Sequence, residues 1–226
     1  MVDRVLTPVL PWVCVRCGDA GAGIELCPAC LDALPWLDES LSRLSGPGVS
    51  GRAALAYRPP VDGMVTALKY HRQRVYGRLL GELLAIRLQE LPLQDRLPDC
   101  LLPVPLHRRR LRTRGYNQAA LIARVVGYEL RLPVVTHCLS RVRHADSQTG
   151  LGRGGRLQNL AGTFVAHNPV AGAHVAIVDD VITTGATLRD CTRALLAAGA
   201  ESVTCWVAAR ALLYSTGVQA LNGSKV

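Results

Sequence analysis

The chain has 226 residues, of which 49% are hydrophobic and 19% are charged, and it carries a formal net charge of +9 at pH 7. This composition predicts a packed globular protein and excludes a largely disordered one. Because the sequence has no uninterrupted apolar run of about 18 residues and no signal-peptide pattern at its amino end, we expect a cytoplasmic protein without membrane insertion.

The positive charge is concentrated in the middle of the chain. Residues 104–160 hold eleven Arg against two acidic residues, a net charge of +9, whereas residues 1–48 hold three Arg against six acidic residues, a net charge of −3. Such a segment is expected where a polyanion binds, although a solvated arginine-rich loop would have the same composition. The single Phe of the chain weakens any hypothesis based on base stacking.

Four cysteines near the amino end follow the spacing C-x2-C-x9-C-x2-C: Cys14, Cys17, Cys27 and Cys30. Two such pairs let four thiolates converge tetrahedrally on Zn²⁺, whereas four unligated thiols or disulfides are less consistent with this spacing in a reducing compartment. A site closed by four thiolates has no open position for a substrate, so we predict a structural zinc ion.

The remaining sequence alternates strand-like and helix-like patterns. After a short amphipathic helix over 31–44 and a linker over 45–51, we predict strands over 52–59, 99–106, 133–139, 174–180 and 202–210, and helices over 64–91, 117–132 and 187–200. This alternation predicts an α/β fold with a doubly wound, mostly parallel sheet. We divide the chain into a zinc-ribbon-like module with its helix, residues 1–48, and a larger domain, residues 49–226.

Two adjacent carboxylates, Asp179 and Asp180, end a buried strand and are followed by the turn Thr183–Thr187 and a helix. Backbone N–H groups and threonine hydroxyls in such a turn bind phosphate. The carboxylates would then accept hydrogen bonds from a sugar diol or act through Mg²⁺. These features together indicate a ribose 5-phosphate that carries a pyrophosphate, although simple capping of the helix by the acids is the alternative.

The stretch VAIVDDVITTGATL (175–188) resembles the phosphoribosyl pyrophosphate (PRPP) signature of type I phosphoribosyltransferases. Three further features resemble the ComF family: the four-cysteine module, PVPLHRRRLRTRGYNQ (103–118), and R-x6-Q followed by R-x-x-N within 141–159. The resemblance covers almost the whole chain in the same order. It implies a phosphoribosyltransferase-type domain that binds PRPP with Mg²⁺.

By this resemblance, Asp179 and Asp180 bind the ribose hydroxyls and are the candidate catalytic residues. The other PRPP-binding candidates are Val181, Thr183, Thr184, Gly185, Ala186 and Thr187. The candidates for pyrophosphate binding are His107, Arg108, Arg109, Arg110 and Arg114, and the candidates for a closing lid, for which a plain surface loop is the alternative, are Arg141, Arg143, Gln148, Arg156 and Asn159. Lys69 is either one more cation of the site or an ordinary surface residue.

The implied activity is Mg²⁺-dependent transfer of a phosphoribosyl group from PRPP to an unidentified acceptor, with release of pyrophosphate. The acceptor atom is expected to be nitrogen, in a nucleobase or a related amine. The alternative is a non-catalytic module that binds PRPP or single-stranded DNA in DNA uptake or regulation. Proteins of the competence machinery are the partners that this alternative implies.

Overall fold

The centre of the fold is a five-stranded sheet. The computed structural model describes residues 12–38, 43–46, 49–90, 96–142, 163–167 and 170–212. Within these residues the strands are β1 (Arg43–Gly46), β2 (Val49–Ala56), β3 (Cys100–Pro103), β4 (Leu139–Arg141), β5 (Phe164–Ala166), β6 (His174–Ile182) and β7 (Ser202–Arg210). The sheet order is β1-β2-β7-β6-β3, and all neighbours are parallel except the antiparallel β1–β2 pair; β4 and β5 form a separate antiparallel pair.

Helices cover both faces of this sheet. They are α1 (Pro28–Asp32), α2 (Val61–Tyr70), α3 (Val75–Gln89), α4 (Arg108–Arg114), α5 (Gln118–Leu130) and α6 (Ala186–Ala197). Strand β6 shows the two faces most clearly, because Ala176 and Val178 belong to the core with α3 and α5, whereas Val175 and Ile177 belong to the core with α6. A strand buried on both faces is apolar throughout. The predicted doubly wound, mostly parallel α/β fold is confirmed.

The predictions for 31–44 and 45–51 are wrong. Helix α1 ends at Asp32, and Pro35, which has no amide hydrogen and disfavours a helical conformation before it, prevents its continuation. Trp36 instead forms a bridge with Leu55, alongside β2. The predicted linker contributes to an antiparallel hairpin of β1 and β2, because pairing within the sheet outweighs the Gly- and Pro-rich composition.

The predicted helix over 64–91 is two helices, α2 and α3. Residues 71–74 between them are all exposed, and Arg72 has a φ of 56°, which a continuing helix does not allow. The strand predicted over 133–139 is also wrong: Val134 makes one isolated bridge to Leu101, and regular pairing begins only at Leu139. The remaining predicted strands and helices exist, with ends shifted by a few residues.

The amino-terminal module packs directly on the sheet domain. The buried Cys14, Leu26, Cys27 and Leu34 belong to the same core cluster as buried residues of α3. The Arg78 guanidinium of α3 lies 4.1 Å from the centre of the Trp12 ring, a cation–π contact. The division at residue 48 remains a prediction about folding units.

Gly51 occupies a position in β2 that no side chain can share. Its φ is +147°, and an added Cβ would lie 1.8 Å from the carbonyl oxygen of Cys205 on the neighbouring strand β7. We therefore expect Gly51→Ala to lower the free energy of unfolding by on the order of 1–3 kcal/mol, measured by urea denaturation. Gly63→Ala on α2 is the matched control, because nothing lies within 4 Å of its Cβ position. An unchanged stability of Gly51→Ala would contradict this packing.

Candidate functional site

Asp179 and Asp180 lie within β6, which continues two residues beyond the predicted end of the strand. Asp180 is buried and Asp179 is partly exposed. The Asp179 Oδ1 atom accepts a hydrogen bond of 2.9 Å from the backbone N–H of Asp180. The Nζ atom of Lys69 on α2 lies 2.5 Å from Asp180 Oδ2. The alternative that Lys69 is an ordinary surface residue is therefore wrong.

The Asp179 carboxyl group has a perturbed pKa. Burial, followed by the negative charge of Asp180, raises the pKa of Asp179 well above its usual value, and the positive charge of Lys69 opposes this increase. Carboxylates with a strongly perturbed pKa are enriched at functional sites, although structural ion pairs perturb pKa values as well. Burying a carboxyl group in this way lowers the free energy of unfolding. Such a cost is consistent with a site whose residues are retained because they bind a ligand.

The turn after β6 leads into the amino terminus of α6. Thr183 and Thr184 are exposed, and Gly185, at a φ of +72°, occupies the position before the first helical residue. No side chain caps the helix from Gly185, and Thr184 Oγ1 accepts only a long hydrogen bond of 3.4 Å from the N–H of Ala186. The first turn of a twelve-residue helix thus presents N–H groups beside Thr187, as an anion site requires.

The arginines of 108–114 form the short helix α4. His107 begins this helix, and its Nδ1 atom accepts a hydrogen bond of 3.3 Å from the N–H of Arg109. Arg108, Arg109 and Arg110 are exposed. Since β3 and β6 are parallel neighbours, α4 follows the same edge of the sheet at which Asp179 lies.

Arg114 differs from the other arginines of α4. Its Nη1 atom donates a hydrogen bond of 2.5 Å to Gln118 Oε1, and its guanidinium lies 5.9 Å from the centre of the Tyr70 ring. It is half-buried, whereas Arg108 to Arg110 are exposed. The guanidinium of Arg114 is therefore already held by contacts within the protein. The exposed Arg108, Arg109 and Arg110 are the better candidates for binding pyrophosphate.

Arg141, at the end of β4, is close enough to the site to interact with it electrostatically. Its guanidinium lies 5.4 Å from the centre of the Phe164 ring, and its Nε atom is buried without a hydrogen-bond partner in the described part of the chain. Burial and then the charge of Arg110 lower the pKa of Arg141, and Asp179 opposes this. The other lid candidates, Arg143, Gln148, Arg156 and Asn159, lie outside the described residues.

The four cysteines of the amino-terminal module converge. Their Sγ atoms all lie within 4.8 Å of one another, and Cys17 Sγ is 3.6 Å from Cys27 Sγ. Burial raises the pKa of the Cys14 thiol, but backbone N–H groups, that of Cys27 foremost, outweigh burial and lower this pKa to about 6. Burial also raises the pKa of Cys30. This set of thiols suits zinc, whose charge would favour the thiolate form of each of them.

A cleft of about 460 Å³ lies beside α4. Its lining includes Arg74, Leu111, Tyr116 and Arg124, but neither of the two aspartates. None of the PRPP candidates is among the residues that line this cleft. Within the described residues, no helix is long and apolar enough to cross a bilayer.

Comparison with known proteins identifies a domain family and relatives of this chain. Residues 113–214 match the Phosphoribosyl transferase domain family. Competence protein F of Haemophilus influenzae is 33% identical over 204 residues, which cover 86% of this chain and 84% of that protein. DNA utilization protein YhgH of Salmonella typhimurium is 34% identical over 206 residues, which cover 88% of this chain and 85% of that protein.

A solved structure of the glutamine phosphoribosylpyrophosphate amidotransferase from B. subtilis is 22% identical, with a TM-score of 0.40, and the match covers 58% of this chain and 26% of that one. The match of the chain to the phosphoribosyl transferase domain confirms the predicted fold type. The predicted roles of the individual site residues remain predictions.

Proposed function

Because the chain belongs to the ComF family, we propose that it binds PRPP and transfers the phosphoribosyl group to an unidentified acceptor, with Mg²⁺ and with release of pyrophosphate. One observation carries this proposal: the carboxylates of Asp179 and Asp180 lie on the strand that leads directly into the amino terminus of α6, where Gly185 provides no side-chain cap. A diol-binding pair and an anion site on one strand–turn–helix unit match the two ends of a ribose 5-phosphate.

In this proposal, different residues bind the different parts of PRPP. The N–H groups from Gly185 to Thr187 and the hydroxyls of the turn bind the 5-phosphate, while Asp179 and Asp180 accept hydrogen bonds from the ribose hydroxyls. The exposed arginines of α4 bind the pyrophosphate oxygens, which guanidinium groups contact in a bidentate manner. Bound Mg²⁺ would neutralise part of the charge of the pyrophosphate as it leaves.

No described residue stands out as a general base. Asp180 forms an ion pair of 2.5 Å with Lys69, and Asp179 accepts a hydrogen bond from the backbone, so both carboxylates are already engaged. Binding of the ribose diol is sufficient to explain their presence in the site. The contribution of the protein is therefore positioning and stabilisation of charge. A nucleobase or a related amine with sufficient nucleophilicity of its own is the acceptor that fits such a site.

We also propose a structural zinc ion on Cys14, Cys17, Cys27 and Cys30, and a cytoplasmic location. All eight cysteines are free thiols, which a reducing compartment preserves. The zinc module supports the face of the sheet domain on which α3 lies and takes no part in the transfer.

The second candidate function is a non-catalytic module that binds PRPP or single-stranded DNA. The exposed Arg108, Arg109 and Arg110 favour it, because consecutive exposed guanidinium groups bind a phosphate backbone. The names of the relatives, a competence protein and a DNA utilization protein, point to DNA uptake and to the competence machinery as partners.

Substituting both Arg109 and Arg110 with Ala separates the two candidates. If these arginines bind pyrophosphate, the affinity for PRPP falls by on the order of 1–3 kcal/mol per contact, while the affinity for ribose 5-phosphate barely changes. Calorimetry with Mg²⁺ measures both affinities, and a panel of nucleobases tests for pyrophosphate release. The control is Arg96→Ala, because exposed ion pairs such as those of Arg96 contribute little.

Equal losses for PRPP and ribose 5-phosphate would show that these arginines do not bind the pyrophosphate. Loss of affinity for DNA of every sequence, with a shallower dependence on salt, would favour the DNA-binding module.

A further inference from the structure

Lys69 is placed to act on the acidic pair from another element. It lies in the last turn of α2, and its Nζ atom is 2.5 Å from Asp180 Oδ2. The Asp180 side chain is 3% exposed and that of Lys69 is 24% exposed. A carboxylate this deeply buried is costly unless a cation or hydrogen bonds compensate it. Lys69 supplies that compensation.

The choice of lysine at this position stands out against the rest of the chain. Of the 26 Lys and Arg residues, only Lys69 and Lys225 are lysines. A lysine carries a compact ammonium on a flexible stem, whereas a guanidinium is a wider planar group that demands a matching geometry. At this position the chain places a single ammonium against the buried Asp180 carboxylate.

The residues next to Lys69 tie this part of α2 to the arginine helix. The Tyr116 hydroxyl donates a hydrogen bond to the carbonyl oxygen of Leu68. Arg72 Nη2 donates a bond of 3.2 Å to the carbonyl oxygen of Thr113, near the end of α4. The residues on either side of Lys69 therefore link this end of α2 to the segment that carries the arginines, while Lys69 itself contacts Asp180 on β6.

We propose that Lys69 is a positioning residue of the PRPP site, which holds the Asp180 carboxylate in the orientation that the ribose diol requires. The inference rests on the proposed function. Lys69 acts through Asp180 and does not itself contact the reacting atoms. The hydrogen bonds of Leu68 and Arg72 hold this end of α2, and with it Lys69, beside the segment that carries the candidate pyrophosphate-binding arginines.

A double-mutant cycle tests this role. Lys69→Gln is expected to weaken PRPP binding with Mg²⁺ about tenfold or more, since the buried Asp180 carboxylate loses the ion pair that holds it. If Lys69 acts through Asp180, the combination of Lys69→Gln and Asp180→Asn weakens binding no more than Asp180→Asn alone. The control is Asp62→Asn on the same helix, where the Asp62 carboxylate contacts the neighbouring Gly63 N–H. Additive losses, or an unchanged affinity of Lys69→Gln, would overturn the inference.

A second readout needs no ligand. Lysine labelled with ¹⁵N at Nζ gives two signals, those of Lys69 and Lys225, and Lys225→Gln assigns them. The Lys69 signal is expected to shift in Asp180→Asn and to stay in place in Asp62→Asn. A Lys69 signal that does not shift in Asp180→Asn would refute the inference, and the proposal that the protein binds PRPP would still stand. Absence of PRPP binding in the unmodified protein would instead refute the proposed function, and the positioning role with it.

Discussion

Cys14→Ser combined with Cys27→Ser is expected to abolish zinc binding and to destabilise the whole chain. Both cysteines are buried, at 2% and 5% exposure, and share a core with α3 of the sheet domain. Structural zinc contributes about 10–16 kcal/mol of binding free energy in small zinc-finger peptides, so its loss is expected to exceed any other substitution effect in this protein. Elemental analysis and thermal unfolding measure the two consequences.

Cys100→Ser is the matched control, because Cys100 lies on β3 outside the four-cysteine cluster. It should retain one zinc ion per chain. The metal site would be contradicted by metal-replete protein without zinc, or by full zinc content in the double variant.

The second large effect concerns PRPP affinity. Asp179→Asn combined with Asp180→Asn should weaken the binding of PRPP in the presence of Mg²⁺ by on the order of 1–3 kcal/mol for each charged hydrogen bond lost. The physical reason is that a neutral amide accepts a weaker hydrogen bond from the ribose hydroxyls than a carboxylate does. Calorimetric titration measures the effect, and Asp62→Asn on the exposed end of α2 is the control. Equal affinities of the double variant and the unmodified protein would rule out the diol role.

The single variants of the acidic pair should change stability in opposite directions. Burial raises the pKa of Asp179 in the folded state, so stability falls as the pH rises from the usual aspartate pKa toward the raised one. Asp179→Asn removes this cost, and its advantage in melting temperature over the unmodified protein should be larger at pH 8 than at pH 4. Asp180→Asn leaves the Lys69 ammonium without its carboxylate and should lower the melting temperature. A lower melting temperature of Asp179→Asn at pH 8 would contradict the burial of its charge.

Local sequence patterns predicted the elements whose burial follows from their own residues. The predicted bounds of strand β7 match the observed ones, because a short, largely apolar run after Gly199 is typical of a buried strand. The hairpin β1–β2 was missed, since its Ser- and Gly-rich residues acquire strand pairing from the neighbouring sheet. Helix α4 was missed as well: it contains no buried residue, so it has no apolar periodicity to detect.

In the candidate site as well, features that depend on residues close together in the chain were predictable, and features that depend on the fold were not. The convergence of the four cysteines was predictable because ligand spacing is local in the chain. The contact of Lys69 with Asp180 joins residues 111 positions apart, so only the three-dimensional structure reveals it. The scarcity of lysine in an arginine-rich chain is a sequence signal that could have singled out this residue, which the sequence analysis left open.

Titration of the unmodified full-length protein with PRPP in the presence of Mg²⁺ tests the central claim most directly. The predicted result is saturable binding of one PRPP per chain, tighter than the binding of ribose 5-phosphate, which lacks the pyrophosphate. Omission of Mg²⁺ should weaken the binding of PRPP more than the binding of ribose 5-phosphate, because the pyrophosphate carries most of the charge that the cation neutralises. Absence of saturable PRPP binding by zinc-replete, folded protein would contradict the account.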